Sequence, residues 1–174
     1  MGHDAPGGRP ITLCVGPAED FIAILDNLPS QTRISTDIRL LNGEHMMSTG
    51  ALFSEFVANL EFPSYFGRNW DAFDECMADL EWVGADAYLV TVLDGGAVLR
   101  DEQDDLAVFV AIMVSVAEEW QTRGVPFHTL LQCAADDVDS VRQRIGVPVD
   151  AIAVSELKLF INTWRAATGM QSTA

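Results

Sequence analysis

Residues 62–82 read FPSYFGRNWDAFDECMADLEW, and they decide the reading of the chain because a turn, a helix start and an acidic helix face fall within them. Pro63 fixes its own φ and biases Phe62 toward extended backbone, while Gly67 offers the positive φ that a tight turn often needs. A helix is therefore expected over about 69–80, with Asn69 as N-cap and Asp71 in the first turn, where the helix dipole favours negative charge. In that register Phe73, Cys76, Met77 and Leu80 form one apolar stripe for burial. Asp71, Asp74 and Glu75 fall on the opposite side, where like charges three and four residues apart each cost about a few tenths of a kcal/mol. No basic residue on that face relieves them, and Arg68, ahead of the helix, is the only cation in the segment. Such a face is either the solvated side of an acidic protein or, given Tyr65, Phe66, Trp70 and Trp82 around the carboxylates, an interface with aromatic anchors.

The whole chain shares the acidic character. Ten basic residues against twenty-six acidic ones give 174 residues a formal net charge of −16, with a sequence pI near 4.2. That balance argues against direct binding of nucleic acid and favours a basic partner, which the field would attract and steer. A hydrophobic content of 49% is enough for one full core. Cys14, Cys76 and Cys133 are odd in number and widely spaced in apolar runs, so buried reduced thiols and a reducing cytoplasm are expected. The first ten residues, MGHDAPGGRP, contain no long apolar run of the secretory type, and Pro6 argues against myristoylation at Gly2.

Outward from the motif, hydrophobic periodicity places strands and helices in alternation. A mobile tail is expected over 1–10, a short strand at 11–15, a helix at 18–28 and a strand at 37–41. Ser48 or Thr49 is expected to cap a helix whose buried side is Leu52, Phe53, Phe56, Val57 and Leu60. AYLVTVL at 87–93 suits a central strand buried on both faces. A long helix at 101–123 should follow, with Asp101, Glu102, Asp104 and Asp105 in its opening turns. Its middle, 106–117, is apolar nearly all round but too short to span a bilayer, which takes about 20 residues. One side is expected on the sheet, and the terminal extensions or a second subunit on the other. A strand at 127–132, a polar helix at 136–145, an extra strand at 149–154, an amphipathic helix at 156–167 and a frayed end at 169–174 complete the order. Alternation of this kind implies an α/β layered fold with a mostly parallel sheet.

YFGRNWDAFDEC at 65–76 resembles the signature of the barstar family, small intracellular inhibitors of barnase-type ribonucleases. The matching pattern is tyrosine, aromatic, glycine, any residue, asparagine, apolar residue, aspartate, and a cysteine five positions on; with flanking elements it runs from near Asp37 to near Cys133. The resemblance implies a three-stranded, mostly parallel sheet flanked by helices, which this chain would extend by one strand at either end. It divides the chain into an N-terminal extension at 1–33, a barstar-like domain at 34–134 and a C-terminal extension at 135–174 packed on the same domain. It also implies a protein partner, a basic ribonuclease or nuclease toxin, and no catalytic residue, cofactor or metal of the chain's own. The family's contact positions fall on Tyr65, Gly67, Asn69, Trp70, Asp71, Asp74 and Glu75. The family pattern has tryptophan then aspartate where this chain has Asp74 and Glu75, so the principal carboxylate is one methylene longer and an aromatic contact is lost. Trp70 stands where the pattern has leucine and could supply that aromatic.

Other chemistry finds little support in the residues. His3, His45 and His128 form no metal-binding pattern, and P-loop, dinucleotide and nucleophile-elbow motifs are absent. SELK at 155–158 fits S-x-x-K without its companion motifs. Asp71 and Glu75 could be an acid/base pair, but nothing identifies a cleft or a substrate. Three readings stand, in order: a cytoplasmic, non-enzymatic nuclease inhibitor or immunity protein; a protein-interaction module whose partner is not a nuclease, with assembly through the extensions into a homo-oligomer; and an enzyme.

Overall fold

The computed structural model describes residues 8–29 and 35–171. The first seven residues of the expected tail lie outside that range, but Pro10 is tied to the sheet, its backbone oxygen accepting from Thr129 N at 3.0 Å. The elements are β1 (Ile11–Val15), α1 (Ala18–Asp26), β2 (Thr36–Asn42), α2 (Thr49–Leu60), α3 (Trp70–Asp79), β3 (Ala87–Leu93), α4 (Gln103–Thr122), β4 (Phe127–Cys133), α5 (Val138–Ile145), β5 (Asp150–Ala153) and α6 (Leu157–Gln171). The last helix passes through part of the stretch expected to fray.

Five strands make one sheet in the order β2-β3-β4-β1-β5, and every pair is parallel. The fold is α/β, layered and parallel. Both added strands join the same side: β1 pairs with β4 through Leu13 and Leu131, and β5 pairs with β1 through Ala151 and Leu13. β3 and β4 are buried almost throughout, as strands covered on both faces should be. The exposed β5 edge is only four residues long, which limits the unpaired backbone it presents.

Alternation along the strands separates two cores. On one face Leu41, Tyr88, Val90, Val92 and Leu131 meet the helices α2, α3, α4 and α5. On the other, Cys14, Leu89 and Leu130 meet Phe21 of α1 and Leu157, Ile161 and Trp164 of α6. The covering of this second face therefore comes from the two ends of the chain.

Several sequence expectations are adjusted by packing. Val57 is only half-buried, unlike Leu52, Phe53, Phe56 and Leu60. α4 starts at Gln103, and Asp101 and Glu102 precede it. The Glu102 carboxylate instead accepts from Thr49 N at 2.8 Å, and the Asp105 carboxylate accepts from the Thr49 hydroxyl, so the acids join the start of α4 to the start of α2. The Thr49 hydrogen bonds hold the Glu102 carboxyl below its ordinary range. α4 buries Leu106, Phe109, Val110, Met113, Val116 and Trp120, and α5 lies beside it. Ala107, Ala111 and Ser115 stay exposed and carry little apolar area, while Val108 beside them remains an exposed large hydrophobic residue. Among the described residues no helix is long and apolar enough to cross a membrane.

Candidate partner-binding site

α3 starts where the sequence places it. Asn69 is extended (φ −137°) and its Oδ1 accepts from Ala72 N at 2.8 Å, satisfying one of the helix's orphan amides. Phe73, Cys76, Met77 and Leu80 are buried. Phe73 lies in an aromatic cluster with Phe53, Phe56, Phe62 and Phe109, its ring edge-on to Phe56 at 4.9 Å. Large rings packed in this way hold the helix rigidly on the core.

The turn before α3 is built differently from the expectation. The left-handed residue is Arg68, with φ 50°, and Gly67 is not in the positive-φ region. A side chain at Gly67 would meet no backbone closely; its nearest neighbour is the Asn69 side-chain nitrogen Nδ2 at 3.3 Å. The left-handed cost at Arg68, on the order of 1–2 kcal/mol, is offset by anchoring. Its guanidinium donates to Gly50 O and Ser54 Oγ, both at 2.9 Å, which fastens the turn to the first half of α2.

Sequence reasoning did not place α4 beside the acidic face, and α4 completes it. At the end of α3 the carbonyls of Met77 and Ala78 lack intrahelical partners, as last-turn carbonyls do. The Trp120 indole donates to Met77 O at 2.9 Å, and Arg123 Nη1 donates to Ala78 O at 2.6 Å. Arg123 also pairs with Glu119 and stacks on Trp120, its guanidinium carbon 4.7 Å from the ring centroid. An open, shallow depression of about 400 Å³ results, lined by Asp74, Glu75, Ala78, Asp79, Glu119 and Arg123. The sequence signal was present as the i,i+4 pair Glu119 and Arg123, but the side of α4 that meets α3 is a tertiary matter.

The seven expected contact residues are not equivalent in this setting. Tyr65 is 75% exposed at the tip of the turn, while Gly67, Asn69, Asp71 and Glu75 are also exposed. Trp70 is half-buried, edge-on to Phe53 at 5.0 Å and to Phe73 at 5.7 Å, and so belongs partly to the core. Asp74 is half-buried and faces α4. Burial, then the charges of Glu119, Asp71 and Glu75, push its carboxyl above the ordinary aspartate range. The surface can offer an exposed aromatic ring and two exposed carboxylates on a fixed helix, with Asp74 crowded by acidic neighbours beside them. Among the described residues no three His, Cys, Asp or Glu side chains converge to hold a metal ion.

Thr36 to Gln132, from the start of β2 to the end of β4, contain this surface and the helices that build it. No curated protein matches the chain. The family model described as Barstar (barnase inhibitor) matches residues 36–132, more than half of the chain. With its signature turn and acidic helix on a parallel α/β core, the chain belongs to the Barstar (barnase inhibitor) family.

Proposed function

We propose that this protein is a non-enzymatic inhibitor of a basic ribonuclease or nuclease toxin, acting in the cytoplasm as an immunity protein. Asp71 and Glu75 enter the partner's phosphate-binding site, and Tyr65, Gly67, Asn69, Trp70 and Asp74 form the surrounding contact. The observation that carries the reading is the pair of exposed carboxylates, Asp71 and Glu75, on a helix fixed by Asn69 at its start and by Trp120 and Arg123 at its end. A nuclease site gathers cations to hold phosphates, and fixed carboxylates match those cations without paying to order a mobile segment. The net charge of −16 supports fast, salt-sensitive association with a basic partner.

Arg123 within the acidic surface favours a second reading, a protein-interaction module whose partner is not a nuclease and whose binding site has a matching carboxylate. Titration of the protein into a barnase-type ribonuclease, following RNA cleavage at low and physiological salt, separates the two. Loss of cleavage at one equivalent supports the inhibitor reading. Unchanged cleavage at large excess directs the search to a partner outside that enzyme class.

A further inference from the structure

A second polar cavity, of about 300 Å³, opens at the C-terminal ends of β3 and β4, between the loop that follows β3, the start of α4, and α5. Parallel α/β sheets bind ligands beyond the carboxyl ends of their strands, and the volume stands at the lower end of small-molecule sites, roughly 300–1,000 Å³. None of the residues lining it belongs to the acidic face of α3.

Two arginines and three carboxylates line the cavity, with Asp94 and Arg100 on the loop after β3, Asp137 just ahead of α5 and Arg144 within it. Arg144 is committed to the structure, donating to Gly96 O, to Val98 O at 2.8 Å and to Gln103 Oε1 at 2.9 Å. Arg100 is exposed, and among the described residues its guanidinium has no hydrogen-bond or ion-pair partner. Both arginines line the cavity, and burial first, then the charge of Arg100, push Arg144 below its usual range. Glu44, Asp94 and Asp137 line the same cavity, yet none forms an ion pair with either arginine. The cavity therefore holds cations and carboxylates that have not closed on one another.

Its walls are held in a conformation few sequences could adopt. Asp94 and Leu99, at the two ends of the loop, are both left-handed, with φ 48° and 52°. A Cβ at Gly43 would lie 2.1 Å from Asp94 O, and one at Gly95 would lie 2.9 Å from Leu131 Cβ. Gln132, buried, accepts from Asp94 N at 2.9 Å and fixes the loop to β4. The backbone of the loop that carries Asp94 and Arg100 is therefore fixed by its own packing.

We propose that this cavity binds a small hydroxylated phosphate monoester, of sugar-phosphate or mononucleotide size. The phosphate sits on Arg100 beside Arg144, and hydroxyl groups donate to Asp94 and Asp137. Guanidinium groups suit phosphate oxygens, and carboxylates suit sugar hydroxyls, so one molecule with both groups satisfies both kinds of side chain.

Calorimetric titration of the full chain in phosphate-free, low-salt buffer tests this with ribose 5-phosphate, adenosine 5′-monophosphate, inorganic phosphate and ribose. Ribose 5-phosphate or the nucleotide is expected to saturate one site, the tighter of the two identifying the source, with inorganic phosphate at least about tenfold weaker and ribose silent. Arg100→Ala should weaken the ester by about tenfold or more at an unchanged melting temperature. Asp137→Asn should weaken the ester but not inorganic phosphate. Absence of saturable binding by either ester, equal affinity in Arg100→Ala, or inorganic phosphate binding as tightly as the esters would overturn the proposal.

Discussion

Arg123, beyond the last turn of α4, donates to the backbone oxygen of Ala78 in the last turn of α3 at 2.6 Å, so the cation nearest the acidic face is also a clamp on the helix that carries it. Its pairing with Glu119 is exposed and contributes little by itself, whereas the carbonyl bond and the stacking on Trp120 fix how α3 and α4 meet.

Arg123→Ala should lower stability by about 1 kcal/mol through loss of the carbonyl bond and the stacking contact. It also makes the depression more acidic, so association with a basic nuclease should become faster and more salt-sensitive. Denaturant unfolding and stopped-flow binding, performed on the same variant, check the two effects separately.

Asp74 should make the protein less stable as its carboxyl ionises. Its folded-state carboxyl titrates above the ordinary value of 3.8, so across that window the native state holds more protons than the unfolded chain and stability falls as pH rises. Asp74→Asn should consequently be the more stable protein at pH 7, with solvent screening limiting the gain to about 0.5 kcal/mol. Below pH 3.8 the advantage should disappear. Thermal melts of both proteins across that range measure it.

His128 supplies the opposite pH dependence. It is buried on β4, its Nε2 3.0 Å from Thr12 Oγ1 and its ring 5.3 Å from that of Phe160, and burial pushes its pKa from 6.5 down to about 4. Between those values the unfolded chain binds a proton that the native state does not, so stability is full above pH 6.5 and is lost progressively as pH falls toward 4. The loss is bounded at about 3 kcal/mol. Because Phe160 lies on α6, the amides of α6 should show the earliest rise in hydrogen exchange at pH 5. His128→Gln should remove most of the slope.

Much of this architecture was legible because it is local. Asn69 was recognisable as a cap and Ser48 as one of two candidates with Thr49, and Asn69 and Ser48 each accept a backbone N–H in the first turn. The stripe Phe73, Cys76, Met77 and Leu80 gave the buried face of α3 directly from its spacing. The turn misled because glycine is the usual left-handed residue; here Arg68 takes that conformation, and its tethers to Gly50 and Ser54, fourteen or more residues away in sequence, offset the cost. Glu102 read as a first-turn acid of its own helix, and its use by Thr49 depends on two helix starts meeting. The placing of β1 and β5 on one side of the sheet was also hidden, since parallel pairing is set by crossovers and not by anything in either strand. The acidic face was visible, but its neighbours Glu119 and Arg123 were not.

We further propose that residues 34–134 do not form an independent folding unit in this chain. Their removal from the extensions would uncover Leu89 and Leu130, now 0% exposed beneath Phe21, Leu157 and Ile161, and would free the β4 edge. Each such side chain contributes about 1.5–3 kcal/mol when buried, against a total stability of about 5–15 kcal/mol for a typical domain. A 34–134 fragment is expected to lack a cooperative melt and to bind a hydrophobic dye. A soluble, cooperatively melting fragment would restore the extensions to accessory status.

The most direct test of the inhibitor reading compares the wild-type protein with Asp71→Ala/Glu75→Ala in stoichiometric titrations of a barnase-type ribonuclease, with melting temperatures recorded in parallel. The wild type should abolish RNA cleavage at one equivalent. The double variant should bind more weakly by about 2 kcal/mol or more and melt at about the same temperature, since relief of the repulsion between the two charges offsets the loss of Asp71 from the first turn. Equal inhibition by the two proteins would contradict the assignment of the α3 carboxylates as the site.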